Sequence, residues 1–153
     1  MTLNISFSEI INNQCESILP YAKLKNVKFE SEIFERINIS GKKDDVVRLV
    51  LNLLKNAVDY NKVGGSVFVS LYKKGNKAIF SVKDSGIGVS GKNLPFIFER
   101  FYKADSSGTQ NISSGSGLGL AIVNDIVIKH GGSINVSSVV DEGSEFKVEI
   151  PFI

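Results

Sequence analysis

The stretch Asp84-Ser85-Gly86-Ile87-Gly88, with its later companion Gly115-Ser116-Gly117-Leu118-Gly119-Leu120, organises the reading of this 153-residue chain. Each cluster is set against an apolar run, and a polar, serine-rich segment lies between them. Glycine lacks a Cβ, permits positive φ and lets backbone N–H groups converge on an anion, most usefully where a loop feeds a helix such as Leu118 to His130. A phosphate-bearing ligand is one reading; a pair of ordinary tight turns is the other. The Walker pattern G-x-x-x-x-G-K-[ST], the G-x-G-x-x-G fingerprint and the H-R-D and D-F-G triplets of protein kinases are all absent, which disfavours the common nucleotide folds.

Outward from these clusters, alternation and periodicity give the elements. Ser66 to Lys73 and Lys77 to Asp84 alternate about Lys74-Gly75-Asn76, an antiparallel hairpin that delivers the first glycine cluster. Ser133 to Val140 and Glu145 to Pro151 form a second hairpin around Asp141-Glu142-Gly143. Upstream, Leu3 to Phe7 is extended, Ser8 opens a helical pattern that Pro20 is expected to kink or break, and Val27 to Ile33 and Arg36 to Ser40 read as strands. Asp44 is the expected cap of a long helix from about Asp45 to Tyr60, with a broad apolar face of Val46, Leu49, Val50, Leu53, Leu54 and Ala57. Lys92 to Phe101 suggests a short helix despite Pro95. Ala104 to Ser116 is too polar to bury much surface, so a mobile lid is expected there. Three main helices layered on a mixed, largely antiparallel sheet make an α/β sandwich of the α+β class, a single domain over residues 1–153.

Eighteen basic and sixteen acidic side chains leave a formal charge of +2 without a block of like charge, so nucleic acid is not favoured as a partner. The single cysteine, Cys15, can form no internal disulfide, which fits a reducing compartment. No apolar run is long enough to span a bilayer and no leader pattern opens the chain, although a membrane-anchored parent is compatible with this.

On the long helix, Asn52, Asn56 and Asp59 recur at i, i+4 and i+7 as a polar stripe. Asparagine is a mediocre helix former, and a plain solvated face is better served by Lys or Glu. A carboxamide oxygen is a hard neutral ligand for Mg²⁺, an ion that keeps waters and substrate phosphates in its shell, so the stripe suits a metal–phosphate complex.

The ordered set Asn52-Leu-Leu-Lys-Asn56-Ala, Asp84-Ser-Gly-Ile-Gly88, Phe98-Glu-Arg-Phe-Tyr102, Gly115-Ser-Gly-Leu-Gly119 and Gly143-Ser-Glu-Phe146 resembles the catalytic ATP-binding domain of bacterial two-component sensor histidine kinases. The resemblance covers nearly the whole chain. It implies the Bergerat, or GHKL, fold shared with gyrase and Hsp90 ATPases, with ATP and Mg²⁺ as cofactors. It further implies that Asn56 binds the Mg²⁺ that bridges the phosphates, that Asn52 supports that site, and that Asp84 accepts a hydrogen bond from the adenine amino group. Tyr60 is implied to pack on adenine, Gly86 and Gly88 to shape the base pocket, and Gly115, Gly117 and Gly119 to bring lid backbone to the phosphates, with Leu120 among the nucleotide-binding residues. Phe98 and Phe101 become lid anchors, and Arg100 and Lys103 cationic candidates for the phosphates. Each has a plainer reading as turn, core or solvated side chain.

Two positions depart from the pattern. Asp59 stands where the family often carries Lys or Arg, and a carboxylate near the phosphates would repel them, and so reduce nucleotide affinity, unless it faces the metal or turns to solvent. Lys42 stands where an Asp commonly precedes the long helix. The activity implied is transfer of the γ-phosphate to a histidine on a helical dimerisation domain, with a response regulator downstream and a cytoplasmic location as part of a membrane sensor. The single His130 lies before Gly-Gly at a helix end and is not the expected acceptor. An ATPase of the gyrase or Hsp90 type would need a Glu general base where this chain has Asn52. A degenerate nucleotide-binding module is the third reading.

Overall fold

The computed structural model describes residues 3–99 and 119–153. The elements run β1 (Leu3–Ser6), α1 (Phe7–Leu24), β2 (Lys28–Ile33), β3 (Asn38–Gly41), α2 (Lys43–Asp59), β4 (Ser66–Lys74), β5 (Lys77–Asp84), α3 (Gly119–Lys129), β6 (Ser133–Val139) and β7 (Gly143–Pro151), with a 3₁₀ turn at Leu94–Phe96. Five strands form one sheet in the order β2-β4-β5-β7-β6, and β1 pairs with β3 in a separate ribbon. β2 runs parallel to β4 while the other pairs are antiparallel, so the sheet is mixed and largely antiparallel as expected.

Alternation decides which face of the sheet is covered. Val67, Val69, Leu71, Phe80, Val82, Phe146, Val148 and Ile150 point to the helices and are buried. Lys83, Glu145, Lys147 and Glu149 occupy the opposite face, where Lys83 stands opposite Glu145 in register. Helix α2 packs between α1 and α3, and its apolar face of Val46, Leu49, Val50, Leu53, Leu54, Ala57 and Val58 is buried in full. Phe7 and Phe80 meet edge to face at 5.8 Å between helix and sheet. At roughly 25 cal/mol per Å² of apolar surface removed from water, this layer is the main source of stability.

Four local expectations change. Helix α1 continues through Pro20 to Leu24. Glu16, whose carbonyl loses its N–H partner, and Pro20 itself lie on the exposed face, while buried Ile18 and Ala22 hold the last turn to the core. The helix starts one residue ahead of Ser8, and its cap is Ser6, whose hydroxyl accepts from the N–H of Glu9 at 3.2 Å. Ser8 instead turns inward and accepts from the N–H of Ile37 at 3.1 Å.

Helix α2 is capped at Lys42, not at Asp44, and no side chain of its own closes the cap. The Lys42 N–H donates to Nε2 of His130 at 3.3 Å, while Nδ1 of the same ring lies 2.8 Å from the Ile126 carbonyl. A carbonyl can only accept, so Nδ1 is the donor toward Ile126 and Nε2 is the acceptor for Lys42. His130 thus ties the end of α3 to the start of α2. Gly41 makes this possible, since a Cβ there would collide with the ring. Asp44 and Asp45 lie in the first turn, favourable to the helix dipole, and Asp45 pairs with Lys129 at 3.1 Å. Finally, Lys92 to Glu99 holds only the 3₁₀ turn at Leu94–Phe96.

Candidate functional site

The cleft opens where the C-terminal turn of α2, the end of β5, the loop after it, the start of α3 and the start of β7 meet. Asn56, Tyr60, Asp84, Ile87, Gly88, Val89, Ile97, Leu120, Ser144 and Phe146 line it. Its volume is about 110 Å³, against the ~10–15 Å³ on the same measure that one water needs. It therefore admits part of a small molecule. The lining is mostly apolar, with Asn56, Asp84 and Ser144 as its convergent polar side chains, the usual make-up of a small-molecule site.

Asp84 sits at the end of β5, only 8% exposed. Its Oδ1 accepts the N–H of Gly86 at 2.9 Å and the N–H of Ser144 at 3.3 Å. Among the described residues Oδ2 has no partner, which leaves an acceptor for a ligand. Burial pushes the carboxyl up to about 6, only partly offset by the N–H groups of Gly86 and Ser144. Register supplies Ser144, which stands directly across from Asp84 in the β5–β7 ladder.

The glycines around Asp84 answer to close approach. The chain leaving β5 runs against the end of α2, with the N–H of Ile87 donating to the Tyr60 carbonyl at 3.0 Å. A Cβ at Gly86 would collide with that carbonyl. Gly88 has φ +72° and abuts the carbonyl of Val139, and the N–H of Asp141 donates to Ile87 at 2.8 Å. The first glycine cluster is thus clamped between α2 and the β6–β7 turn, with Ile87 and Val89 facing the cleft. Asn61 secures the same corner. Its Nδ2 donates to the carbonyls of Ala57 and Ser66 at 3.2 and 2.9 Å, and its Oδ1 accepts from Lys62 N–H at 2.8 Å.

Of the residues expected at the site, Asn56, Tyr60, Asp84, Gly88 and Leu120 come together on the cleft wall. Gly86 stands behind the wall, and Phe98 supports it through edge-on packing at 6.4 Å on Phe146, which does line the cleft. Gly119 is the first residue of α3 and does not line it. Asn52, one turn before Asn56 on α2 and half-buried, also lies outside the lining. Asp59 faces away: its carboxylate accepts from the Tyr21 hydroxyl and pairs with Lys55 at 3.0 Å. The carboxylate whose direction the sequence leaves open between phosphates, metal and solvent is engaged by Tyr21 of α1 and by Lys55. Arg100, Phe101, Lys103, Gly115 and Gly117, and the expected lid from Ala104 to Ser116, lie outside the described residues.

Ile87, Val89, Ile97, Ser144 and Phe146 were not assigned to the site by sequence reasoning. Ser144 and Phe146 belong to the Gly143-Ser-Glu-Phe146 motif, so their signal was present, but only the pairing of β5 with β7 gives it a meaning.

Among the described residues no group of three or more His, Cys, Asp or Glu side chains forms a metal cluster. Asn56 contributes a neutral oxygen to the cleft, a donor that fits Mg²⁺ arriving with phosphates better than an ion held by protein alone.

Comparison with known proteins agrees with this geometry. Residues 41–153 match the sequence pattern of the histidine kinase-, DNA gyrase B-, and HSP90-like ATPase family. The chain is 33% identical over 145 residues to the sensor histidine kinase RppB of Synechocystis sp., covering 94% of this chain and 32% of that protein. It is 36% identical over 122 residues to the phosphate regulon sensor protein PhoR of Pseudomonas aeruginosa, covering 80% of this chain and 27% of that one. The chain therefore spans about a third or less of these relatives. Among solved structures, a mycobacterial sensor histidine kinase, MprB, superposes with a TM-score of 0.86 at 28% identity, covering 99% of this chain and 98% of that one. The match extends over most of the sequence, and the motif residues Asn56, Asp84, Gly88, Ser144 and Phe146 meet in one cleft: the chain belongs to the histidine kinase-, DNA gyrase B- and HSP90-like ATPase family, in the form of the catalytic domain of sensor histidine kinases.

Proposed function

We propose that residues 1–153 form one catalytic domain that binds Mg-ATP and positions its γ-phosphate for transfer to a histidine on a separate helical dimerisation domain of a parent sensor kinase. The observation that carries this reading is the convergence of Asn56, Tyr60, Asp84, Gly88 and Leu120 on a single cleft. Asp84 Oδ2 accepts the exocyclic amino group of adenine, Tyr60 and the apolar lining hold the ring, and Asn56 faces the Mg²⁺–phosphate end. Mg²⁺, when bound, neutralises charge on the phosphates. Asn52, Arg100 and Lys103 belong to that end by their place in the motifs, as do Gly115 and Gly117.

Phosphoryl transfer asks little covalent chemistry of the protein; placement and electrostatic stabilisation supply most of the acceleration. Asn52 has no basicity with which to activate water, which favours transfer to an added nucleophile over hydrolysis. His130 is committed through Nε2 to Lys42 at the start of α2 and through Nδ1 to Ile126 of α3, and so is not the phosphate-accepting histidine. A response regulator would then take the phosphate from the acceptor histidine. The parent's location, with this domain on the cytoplasmic side of a membrane sensor, belongs to the same proposal; no described helix is long and apolar enough to cross a membrane.

The test incubates radiolabelled ATP and Mg²⁺ with the chain alone, with its parent's helical domain in trans, and with an Asn56→Ala control. The expected result is acid-labile, base-stable label on the helical domain, none on the chain alone, and none with the control; raising the partner's concentration offsets the missing linkage. Rapid phosphate release by the chain alone would instead establish an ATPase. Absence of nucleotide binding would remove the proposal.

A further inference from the structure

The hydroxyl of Ser138, on β6, touches three groups beside the cleft. It accepts the N–H of Val89 at 2.6 Å and lies 3.0 Å from the Gly143 carbonyl and 2.8 Å from the hydroxyl of Ser144. Ser138 does not itself line the cleft, but Val89 and Ser144 do. One hydroxyl has one proton and two lone pairs. The Gly143 carbonyl can only accept, so if Ser138 gave its proton to Ser144, two lone pairs would face each other at Gly143. A single assignment makes all three contacts attractive. Ser138 donates to Gly143, and it accepts from both Val89 and the hydroxyl of Ser144.

That assignment has a consequence inside the cleft. With its proton turned toward Ser138, the Ser144 hydroxyl offers a ligand lone pairs and no donor. Oδ2 of Asp84 likewise offers an acceptor, because Oδ1 already holds the N–H groups of Gly86 and Ser144. The polar end of the cleft is therefore acceptor-rich. It suits a base edge that presents an amino group and opposes one that presents a carbonyl at the same place.

We propose that Ser138 is a specificity-determining positioning residue. By fixing the direction of the Ser144 hydroxyl and anchoring Val89, it makes the cleft prefer a 6-amino purine nucleotide to its 6-oxo counterpart. The inference rests on the nucleotide reading given above and names a residue through which the base is selected.

The test compares calorimetric titrations of ADP and IDP, each with Mg²⁺, against the unaltered chain and three variants. These are Ser138→Ala, Ser138→Thr, which keeps the hydroxyl, and Ser137→Ala, a neighbour on the other face of β6. In Ser138→Ala the Ser144 proton is free to rotate toward the ligand. The expected result is that the ratio of ADP to IDP affinity falls about tenfold, the scale of one hydrogen bond gained or lost, through weaker ADP binding and unchanged or stronger IDP binding. Ser138→Thr restores the ratio and Ser137→Ala leaves it unaltered. Equal loss of both nucleotides in Ser138→Ala, an unchanged ratio, or a Thr variant as impaired as the Ala variant would overturn the proposal while leaving nucleotide binding intact. Failure of the unaltered chain to bind either nucleotide would overturn the nucleotide reading itself.

Discussion

The Tyr21 hydroxyl donates to Oδ1 of Asp59 across the seam between α1 and α2, and Lys55 holds the other oxygen at 3.0 Å. Lys25 and Lys55 both lie over the Tyr21 ring, 5.5 Å from its centre. The Asp59 side chain is 6% exposed, so this contact replaces solvation that the carboxylate has lost. It fixes the turn of α2 that carries Asn56 and Tyr60. Tyr21→Phe should therefore lower stability by about 1 kcal/mol, read from the denaturation midpoint. The Asp59 hydrogen bond, the largest cause, raises the tyrosine from 10.0 to about 12. The folded state holds the proton more tightly, so this contribution is complete below pH 10 and is lost as pH rises toward about 12. In Tyr21→Phe that part of the alkaline decline should vanish.

Asp84 carries the opposite sign for a carboxylate. Burial raises it from 3.8 to about 6, so the folded state favours its neutral form. Its contribution to stability is present below pH 3.8 and is lost as pH rises through about 6. A shift of about two units corresponds to roughly 3 kcal/mol. Asp84→Asn keeps an oxygen for Gly86 and Ser144 and removes the buried charge; at pH 7.5 it should be the more stable protein, by up to that amount. It should also bind adenine nucleotide at least tenfold more weakly, since a donor replaces an acceptor when the amide turns toward the base. In the unaltered chain, ADP affinity should fall as pH drops below about 6. A variant no more stable than the parent at pH 7.5, or one that binds ADP equally well, would contradict the assignment.

Asn56 lines the cleft and Asn52 does not, although the two are one turn apart and look alike in sequence. Asn56→Ala should weaken Mg-ADP binding by about 1 to 3 kcal/mol, and the difference should shrink when chelator removes the metal. Asn52→Ala should have the smaller effect on ADP. Titration with and without Mg²⁺ separates the two; an Asn56→Ala deficit independent of Mg²⁺ would place the carboxamide against the nucleotide itself.

The parts of this site that were legible in the sequence are those whose chemistry is local. Gly86 and Gly88 announce a backbone under close approach, and Asn56 stands out as a carboxamide beside an apolar helical face. What could not be read depends on partners distant in the chain. Helical spacing places Asp59 on a polar stripe but does not show Tyr21, 38 residues earlier, reaching across to take it. Local capping rules point to Asp44 as the cap of α2, whereas the capping residue is Lys42, whose N–H is met by His130, 88 positions away. Ser144 acquires its role from the register that sets it opposite Asp84. Propensity alone has Pro20 interrupt α1, and burial of Ile18 and Ala22 outweighs it.

Gly143 and Gly75 test how much of the glycine content serves the site. Both have positive φ, +128° and +61°, but their surroundings differ. A Cβ at Gly75, in the β4–β5 turn, meets nothing within 4 Å, whereas one at Gly143 would drive into the carbonyl of Asp84 on the neighbouring strand. Gly75→Ala should cost the ~1–2 kcal/mol of a left-handed conformation and leave nucleotide affinity unchanged. Gly143→Ala adds a backbone collision to that strain, and relief requires β5 and β7 to part where Asp84 accepts the N–H of Ser144. It should lower stability by more than the Gly75 variant and weaken ADP binding at the same time. Thermal unfolding and titration of both variants provide the comparison. A Gly143→Ala protein that lost stability but bound ADP normally would show that the close approach of β7 to Asp84 serves the sheet alone.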